Sequence, residues 1–202
     1  MRAFAAPALL SLAALLGGAG CASVSTLHVA YPEAAVNRAM LASVQSRRVE
    51  IRPVADRRMD VGRIGTRPAD GKAVVTSRPV PDVVREALAL EIGKNGHALV
   101  TERGDVVLAA DVDEFWLDAI AGYTTTQYVG RVVIALILVD GPTGSPLATR
   151  RYVGIKRQQV DKPTDDVARA VMDAALARAM RDLATDGALV AAFARATAAA
   201  PR

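Results

Sequence analysis

The stretch Val132-Val133-Ile134-Ala135-Leu136-Ile137-Leu138-Val139 has no polar side chain, and it constrains the fold of this chain more than any other segment. It is too short for a membrane-spanning helix, which needs about 20 apolar residues, and its β-branched content reads as the centre of a strand over Thr124 to Val139. Side chains alternate between the two faces of a strand. A strand that is apolar at every position therefore predicts cover on both faces. Asp140-Gly141-Pro142-Thr143-Gly144 follows with turn chemistry. Pro146 to Val160 then resumes as a hairpin partner, with Tyr152, Gly154 and Lys156 on one face and Arg151, Val153 and Ile155 on the other. Upstream, Asp105 to Leu117 alternates with Val106, Leu108, Ala110 and Val112 on one side. These three strands predict an antiparallel meander.

Helices flank it. Pro79-Val80-Pro81-Asp82 leads into Val83 to Lys94, which Asn95-Gly96 ends; Pro and Asp suit a first helical turn and Asn-Gly supplies a left-handed stop. Val84, Leu88 and Ile92 recur at four-residue spacing, a stripe that faces a core. Thr164, followed by Asp165 and Asp166, predicts the cap of a second helix with Ala168, Met172, Leu176, Ala179 and Leu183 buried; Asp186-Gly187 breaks it, and Ala188 to Ala199 makes a third. Val49 to Val54 reads as a strand in which Pro53 marks an edge, a bulge or the exit. Ala73-Val74-Val75 and His97 to Val100 read as short strands, and Asp56 to Gly71 as a loop. The class expected is α+β, a mostly antiparallel sheet of about five strands with two to three helices packed on one face.

The chain opens with Met1-Arg2, an apolar run from Ala3 to Leu16, then Gly17-Gly18-Ala19-Gly20 and Cys21. That is the anatomy of a secretory signal peptide. Cys21 stands first after the small residues, where a lipid-transfer enzyme needs its thiol, although Gly18 occupies a position that usually holds leucine. It is also the single cysteine of the chain. A lone thiol in an oxidising compartment invites intermolecular pairing unless it is acylated. Palmitate-type acyl chains on Cys21 would anchor the protein to a membrane, two chains sufficing where one is marginal. The division expected is 1–20 signal peptide, 21–47 lipidated Cys21 and a partly helical tether, with Val36, Met40 and Val44 on one helical face between Glu33 and Ser46, and 48–200 a single periplasmic domain. Ala22 rather than Asp follows Cys21, which favours the outer membrane, periplasmic face.

Removing residues 1–20 takes only Arg2 from the 25 Lys+Arg that stand against 21 Asp+Glu, and aromatic residues are 4% of the chain. So small a cationic excess, with little to stack on bases, excludes a nucleic-acid binder.

The order of these pieces resembles the YajG-like family of bacterial lipoproteins. The likeness is carried by Val49-Glu50-Ile51-Arg52-Pro53-Val54-Ala55-Asp56-Arg57 with Ile64-Gly65, the helix Val83 to Lys94 running into Asn95-Gly96-His97, the strand Leu108 to Val112, and Val167 to Leu183 with its trailing Leu189-Val190-Ala191-Ala192-Phe193. The resemblance implies an outer-membrane lipoprotein with an α+β domain like those of envelope-assembly and transporter-accessory lipoproteins. It implies no catalytic residues, and the longer tether before Val49 departs from it.

Chemistry in the residues themselves is sparse. Asp111 and Asp113 share a strand face with Glu114 beside them, which is how paired carboxylates meet and also how a solvated face looks. His28 and His97 have no spaced partner for a metal set or a triad, and neither Gly62-Arg63-Ile64-Gly65 nor Gly141 to Gly144 has the lysine and helix of a phosphate loop. No cofactor is expected. Tyr123, Thr125 and Gln127 present a mild hydrogen-bonding surface of the kind found at interfaces, and Arg57 and Arg63 offer cations to lipid headgroups or an acidic partner. The function expected is a non-enzymatic, lipid-anchored interaction or accessory module of an envelope assembly, with an envelope protein partner or a second copy covering the apolar strand. The alternatives are an auxiliary lipoprotein of a lipid-transport ABC system and, further off, a hydrolase using Asp111 and Asp113.

Overall fold

The computed structural model describes residues 24–32 and 39–198. Its nine strands form one mixed sheet: β1 (Ser25–Leu27), β2 (Arg48–Ile51), β3 (Ala55–Asp56), β4 (Gly65–Thr66), β5 (Ala73–Thr76), β6 (Ala98–Val100), β7 (Val106–Ala121), β8 (Thr126–Asp140) and β9 (Pro146–Val160). Three helices, α1 (Val80–Lys94), α2 (Asp165–Thr185) and α3 (Gly187–Arg195), and a 3-10 turn at Met40–Ser43 complete it. The α+β class stands, but the sheet is larger than expected and less antiparallel.

The meander is the backbone of the fold: β7 pairs β8 and β8 pairs β9, both antiparallel. Along the other edge of β7 the chain lays down three short strands in succession, all parallel to it. Val49 faces Val106, Ala55 faces Asp111 and Gly65 faces Leu117. Pro53 falls in the gap between β2 and β3, where no ladder donor is needed. Beyond them β5 pairs antiparallel to β4, β1 parallel to β5, and β6 parallel to β2. These pieces are two to four residues long, so they carry no periodicity of their own and are held by their register on a long neighbour.

The segment expected as a tether is corrected over its described part. Ser25–Leu27 is a strand of the sheet, and Leu27 and Val29 are buried in the core. Two apolar side chains at alternate positions outweigh the freedom of a linker, each worth about 1.5–3 kcal/mol when fully buried. Farther on, the helix expected over Glu33 to Ser46 is, in its described part, a single 3-10 turn that buries Leu41 and leaves Met40 exposed; residues 33–38 lie outside the described residues, as do the leader and Cys21.

α1 and α2 form where their end signals predict, whereas α3 stops at Arg195, short of the Ala199 expected, with Ala196 already out of the helix. Pro81 and Asp82 sit in the first turn of α1, and Gly96, at φ 91°, turns the chain out after Asn95. Thr164 caps α2, its hydroxyl accepting the Val167 N–H at 3.3 Å. The buried side of α2 lies over β8 and β9, joining Met172, Leu176 and Leu183 to Val132, Ile134, Leu136 and Leu138 in one core. Gly130 and Gly154 are the contact points. A Cβ at Gly154 would stand 1.9 Å from the Ala175 carbonyl oxygen, and one at Gly130 3.0 Å from a Val171 methyl.

The opposite face of the meander departs from the expectation that the apolar run is covered on both sides. Ile137 is 42% exposed and Val153 44%. The described helices cover the face of Val132, Ile134, Leu136 and Leu138; on the other face Ile137 meets solvent and Ala135 and Val139 are half-buried, while Val133 is buried within the sheet face itself. None of the described helices is long and apolar enough to cross a membrane.

Candidate functional site

The carboxylates on the open face do not converge on one another. Arg57 takes Asp111 at 3.6 Å, Arg151 takes Asp113 at 3.2 Å, and Arg131 spans Glu114 at 2.7 Å and Asp118 at 2.8 Å. Asp113 falls at the bulge between Val112 and Glu114 and pairs across to Arg151 of β9, while Asp111 pairs with Arg57 on the other side of β7. Asp111 and Asp113 thus each have their own cation, and Glu114 and Asp118 share Arg131, in a half-exposed setting, the solvated-face arrangement rather than a shared-proton pair. Exposed pairs of this kind contribute about 0–1 kcal/mol. We expect Asp111→Asn with Asp113→Asn to lower the thermal midpoint by no more than about 8 °C in a calorimetric scan, since two such pairs are worth at most about 2 kcal/mol together and each kcal/mol moves a domain of this size by about 2–4 °C.

The predicted interaction residues fall in three places. Tyr123 stands at the tip of the β7–β8 hairpin, with Thr125 accepting a hydrogen bond from the Gln159 side chain at 2.8 Å and Gln127 exposed beside Ile120. Arg57 sits far down the sheet at Asp111, while Arg63 lies over the Trp116 ring at 5.7 Å and pairs Asp60. Trp116 donates its indole N–H to Asp118 at 2.8 Å.

Sequence reasoning missed a groove between α1 and β6. Two adjoining hollows of about 580 and 540 Å³ share Glu86, Ala89 and Leu99. Their floor is apolar at Ala89, Leu90 and Leu99, while Asp82, Arg85 and Arg52 edge one end. Among the described residues β6 pairs with β2 alone, and the Ala98 N–H is taken by Arg47. In a parallel ladder the next residue aims its main chain the other way, so the amide and carbonyl of Leu99 face outward along the groove. The signal that could have found it is the run Asn95-Gly96-His97-Ala98-Leu99-Val100: a strand that leaves the helix at once must lie beside it, at an edge.

A polar cluster ties the N-terminal segment to the end of α1. Glu91, 1% exposed, holds the Lys94 ammonium at 2.5 Å, the Tyr31 hydroxyl and the Asn95 amide, and Asn95 in turn accepts the Ala39 N–H at 2.9 Å. Burial raises the Tyr31 pKa, and the Glu91 carboxylate adds to it. Next to it, His97 is buried against Phe193, ring centroids 4.9 Å apart. Its Nδ1 accepts the Arg47 N–H at 3.2 Å, which leaves the proton on Nε2 to be donated to the Leu41 carbonyl at 3.3 Å. Burial lowers the His97 pKa; the Leu41 carbonyl opposes this and the Arg47 charge adds to it.

A folded-state pKa below the ordinary value of about 6.5 stabilises the protein fully above that pH. The contribution is lost as pH falls from 6.5 through the folded value. We expect the thermal midpoint to drop between pH 7 and 5 and the His97→Gln variant to flatten that slope. Asp56 and Asp140, lowered by hydrogen bonds from Arg58 and Thr143, lose their contributions only in the lower carboxylate range. Asp173, raised by burial, works in the opposite sense as it protonates.

No family model and no curated protein matches the chain. Solved structures do. Protein XCC0632 from Xanthomonas campestris, of the DUF330 family model, superposes with a TM-score of 0.57 at 16% identity, over 84% of this chain and 97% of that one. A candidate lipoprotein of Caulobacter crescentus CB15 gives a TM-score of 0.46 at 15% identity, over 81% and 98%. A minor lipoprotein of Acinetobacter baumannii gives 0.38 at 14% identity, over 68% and 91%. At these identities the likeness shows a shared fold with the Xanthomonas protein. The last two of these bacterial proteins are described as lipoproteins.

Proposed function

We propose that the chain is a lipid-anchored, non-enzymatic lipoprotein of the bacterial cell envelope that serves as an interaction or accessory module for an outer-membrane or trans-envelope assembly. The observation that carries this reading is the placement of Cys21. The one cysteine of the chain follows an apolar leader and stands just ahead of β1, which is hydrogen-bonded into the sheet. From Cys21 to Ser25 an extended chain reaches about 13 Å, at roughly 3.3 Å per residue, so acyl chains on Cys21 hold the folded domain against the membrane rather than at the end of a leash. The finer assignment to a YajG-like outer-membrane lipoprotein rests on the order of the sequence motifs, and the outer membrane on Ala22.

The surface available to a partner is the groove of α1 and β6. An outward-facing strand edge beside an apolar floor suits an extended peptide that adds a strand and seats alternate side chains. A lipid-transport role would want a wholly apolar groove; here Asp82, Arg85 and Glu86 line it. The pairing of Asp111 and Asp113 with two different arginines speaks against the hydrolase. The test is affinity capture of the tagged full-length protein from cross-linked membranes, beside Cys21→Ala and Leu99→Lys variants. One envelope protein recovered with the wild type and lost with both variants is the expected result. Recovery undiminished from Cys21→Ala would overturn the anchored reading. Loss of that partner with Asp111→Asn and Asp113→Asn would redirect attention to the open face.

A further inference from the structure

We propose that the tip of the β7–β8 hairpin is a second membrane contact, inserting Tyr123 and Ile120 among the phospholipid headgroups beside the lipid on Cys21. The inference rests on the anchored reading given above and adds to it a surface and an orientation.

Strand directions place the two features at one end of the molecule. β4 runs parallel to β7, β5 antiparallel to β4, and β1 parallel to β5. Followed backward from Ser25 toward Cys21, the chain therefore leaves the sheet in the direction in which β7 runs to its tip. Ser25, Val74, Gly65, Leu117 and Gly130 lie in one row across the sheet. From that row the hairpin extends to Tyr123, about 20 Å at roughly 3.3 Å per residue, while the chain back to Cys21 reaches about 13 Å at most on the same scale. Acyl chains in the bilayer thus bring the tip down to the headgroups.

The composition of the tip fits that position. In a chain with 23% charged residues, none lies between Asp118 and Arg131. Tyr123 is 105% exposed and Ile120 56%, with Ala121, Gly122 and Thr124 exposed between and beside them. Nothing there carries the cost of desolvating a charge, and an aromatic ring with a polar hydroxyl is the side chain that settles at a membrane interface. Of the charges at this end of the sheet, Arg67 pairs with Asp165 at 2.6 Å and Lys72 with Asp70 at 3.0 Å, Asp161 and Lys162 stand side by side with opposite sign just past Val160, and Lys156 and Arg157 lie farther up β9, opposite Gly130 and Val129. The tip itself carries no charge, so the contact is apolar and interfacial rather than an attraction to anionic lipid. The far end of the sheet, at the β8–β9 turn around Thr143, points away from the membrane together with the Thr197 end of the described chain, which bonds Asp140 there at 2.6 Å.

Because acylation blocks Cys21, a single introduced cysteine can be labelled cleanly in the full-length lipidated protein. Tyr123→Cys and Thr143→Cys would each carry an environment-sensitive fluorophore, and each would be reconstituted into phosphatidylcholine vesicles with and without phosphatidylglycerol. The expected result is that both variants float with the vesicles, while aqueous iodide quenches the label at 123 several-fold less than the label at 143, to the same degree in both lipid mixtures. Adding Ile120→Asp to Tyr123→Cys should restore quenching at 123. Flotation with equal quenching at the two positions would overturn the hairpin contact and leave the anchor standing. Protection that needs phosphatidylglycerol would overturn the apolar contact. Failure of either variant to float would overturn the anchor and the contact with it.

Discussion

Gly154→Ala should lower the thermal midpoint by about 10 °C, from a destabilisation of about 3 kcal/mol or more, at the top of the range for overpacking, converted at about 2–4 °C per kcal/mol for this size. The added carbon would stand 1.9 Å from the Ala175 carbonyl oxygen and 2.8 Å from the Ala179 nitrogen. Both are main-chain atoms of α2, so no side-chain rotation relieves the clash. The helix must move as a body away from β9, and that opens the layer in which Leu176, Ala179 and Leu183 pack.

Two companion variants separate this mechanism from a general intolerance of substitution. At Gly130 the nearest atoms are a Val171 methyl at 3.0 Å, the Met172 sulfur at 3.1 Å and the Val171 carbonyl oxygen at 3.1 Å; the first two can yield and the main-chain atom stands much farther off than the 1.9 Å at Gly154, so Gly130→Ala should cost less. At Gly93, on the exposed side of α1, nothing lies within 4 Å, and Gly93→Ala should stabilise by about 0.5–1 kcal/mol through helix propensity. If Gly154→Ala unfolds no more easily than Gly130→Ala in the same scan, the close approach of α2 to β9 is wrong.

The same contact shows what a linear reading of the chain reaches. From the sequence Gly154 is legible as sharing a face of β9 with Tyr152 and Lys156, but not as inward, since Val153 and Ile155 stand on the other face. That the helix crosses there, and crosses this closely, is a property of the packed layer. Elements that carry their own signals are equally legible: the caps of α1 and α2, the Asn95-Gly96 stop, and the alternation of β7 to β9. β1, β3 and β4 are not, because a strand of two or three residues is defined by the neighbour it joins. Ser25, Leu27 and Val29 do alternate in burial, but three positions beside Cys21 look like the start of a tether. The groove escaped notice for a related reason. It is made by a helix and an edge strand whose sheet neighbour, β2, lies much earlier in the chain, so no local pattern contains it. The carboxylates were legible as sharing a face, while the arginines that occupy them come from distant segments.

Asp186→Ala is expected to cost about 2–4 kcal/mol, because it removes an N-cap worth roughly 1 kcal/mol and leaves a buried hydroxyl unpaired at roughly 1–3 kcal/mol more. In the sequence Asp186-Gly187 reads only as the break between two helices. In the fold the Asp186 carboxylate accepts the Ala188 N–H at 2.9 Å, capping α3, accepts the Tyr152 hydroxyl at 2.9 Å and pairs with Arg150 at 3.2 Å. Burial, reinforced by the Asp186 carboxylate, pushes the Tyr152 pKa well above its ordinary value, so this hydroxyl keeps its proton and remains a donor. One side chain therefore joins the end of α2, the start of α3 and β9. Asp186→Asn keeps an acceptor for the cap and for Tyr152 and gives up only the half-exposed ion pair, so it should cost less than about 1 kcal/mol. Tyr152→Phe removes the hydroxyl instead of stranding it. In a double-mutant cycle its cost in the wild type should largely vanish when Asp186 is already alanine. Additive costs across that cycle, measured by denaturant unfolding, would show that Tyr152 and Asp186 do not act through each other, and the junction would then owe its stability to the α3 cap alone.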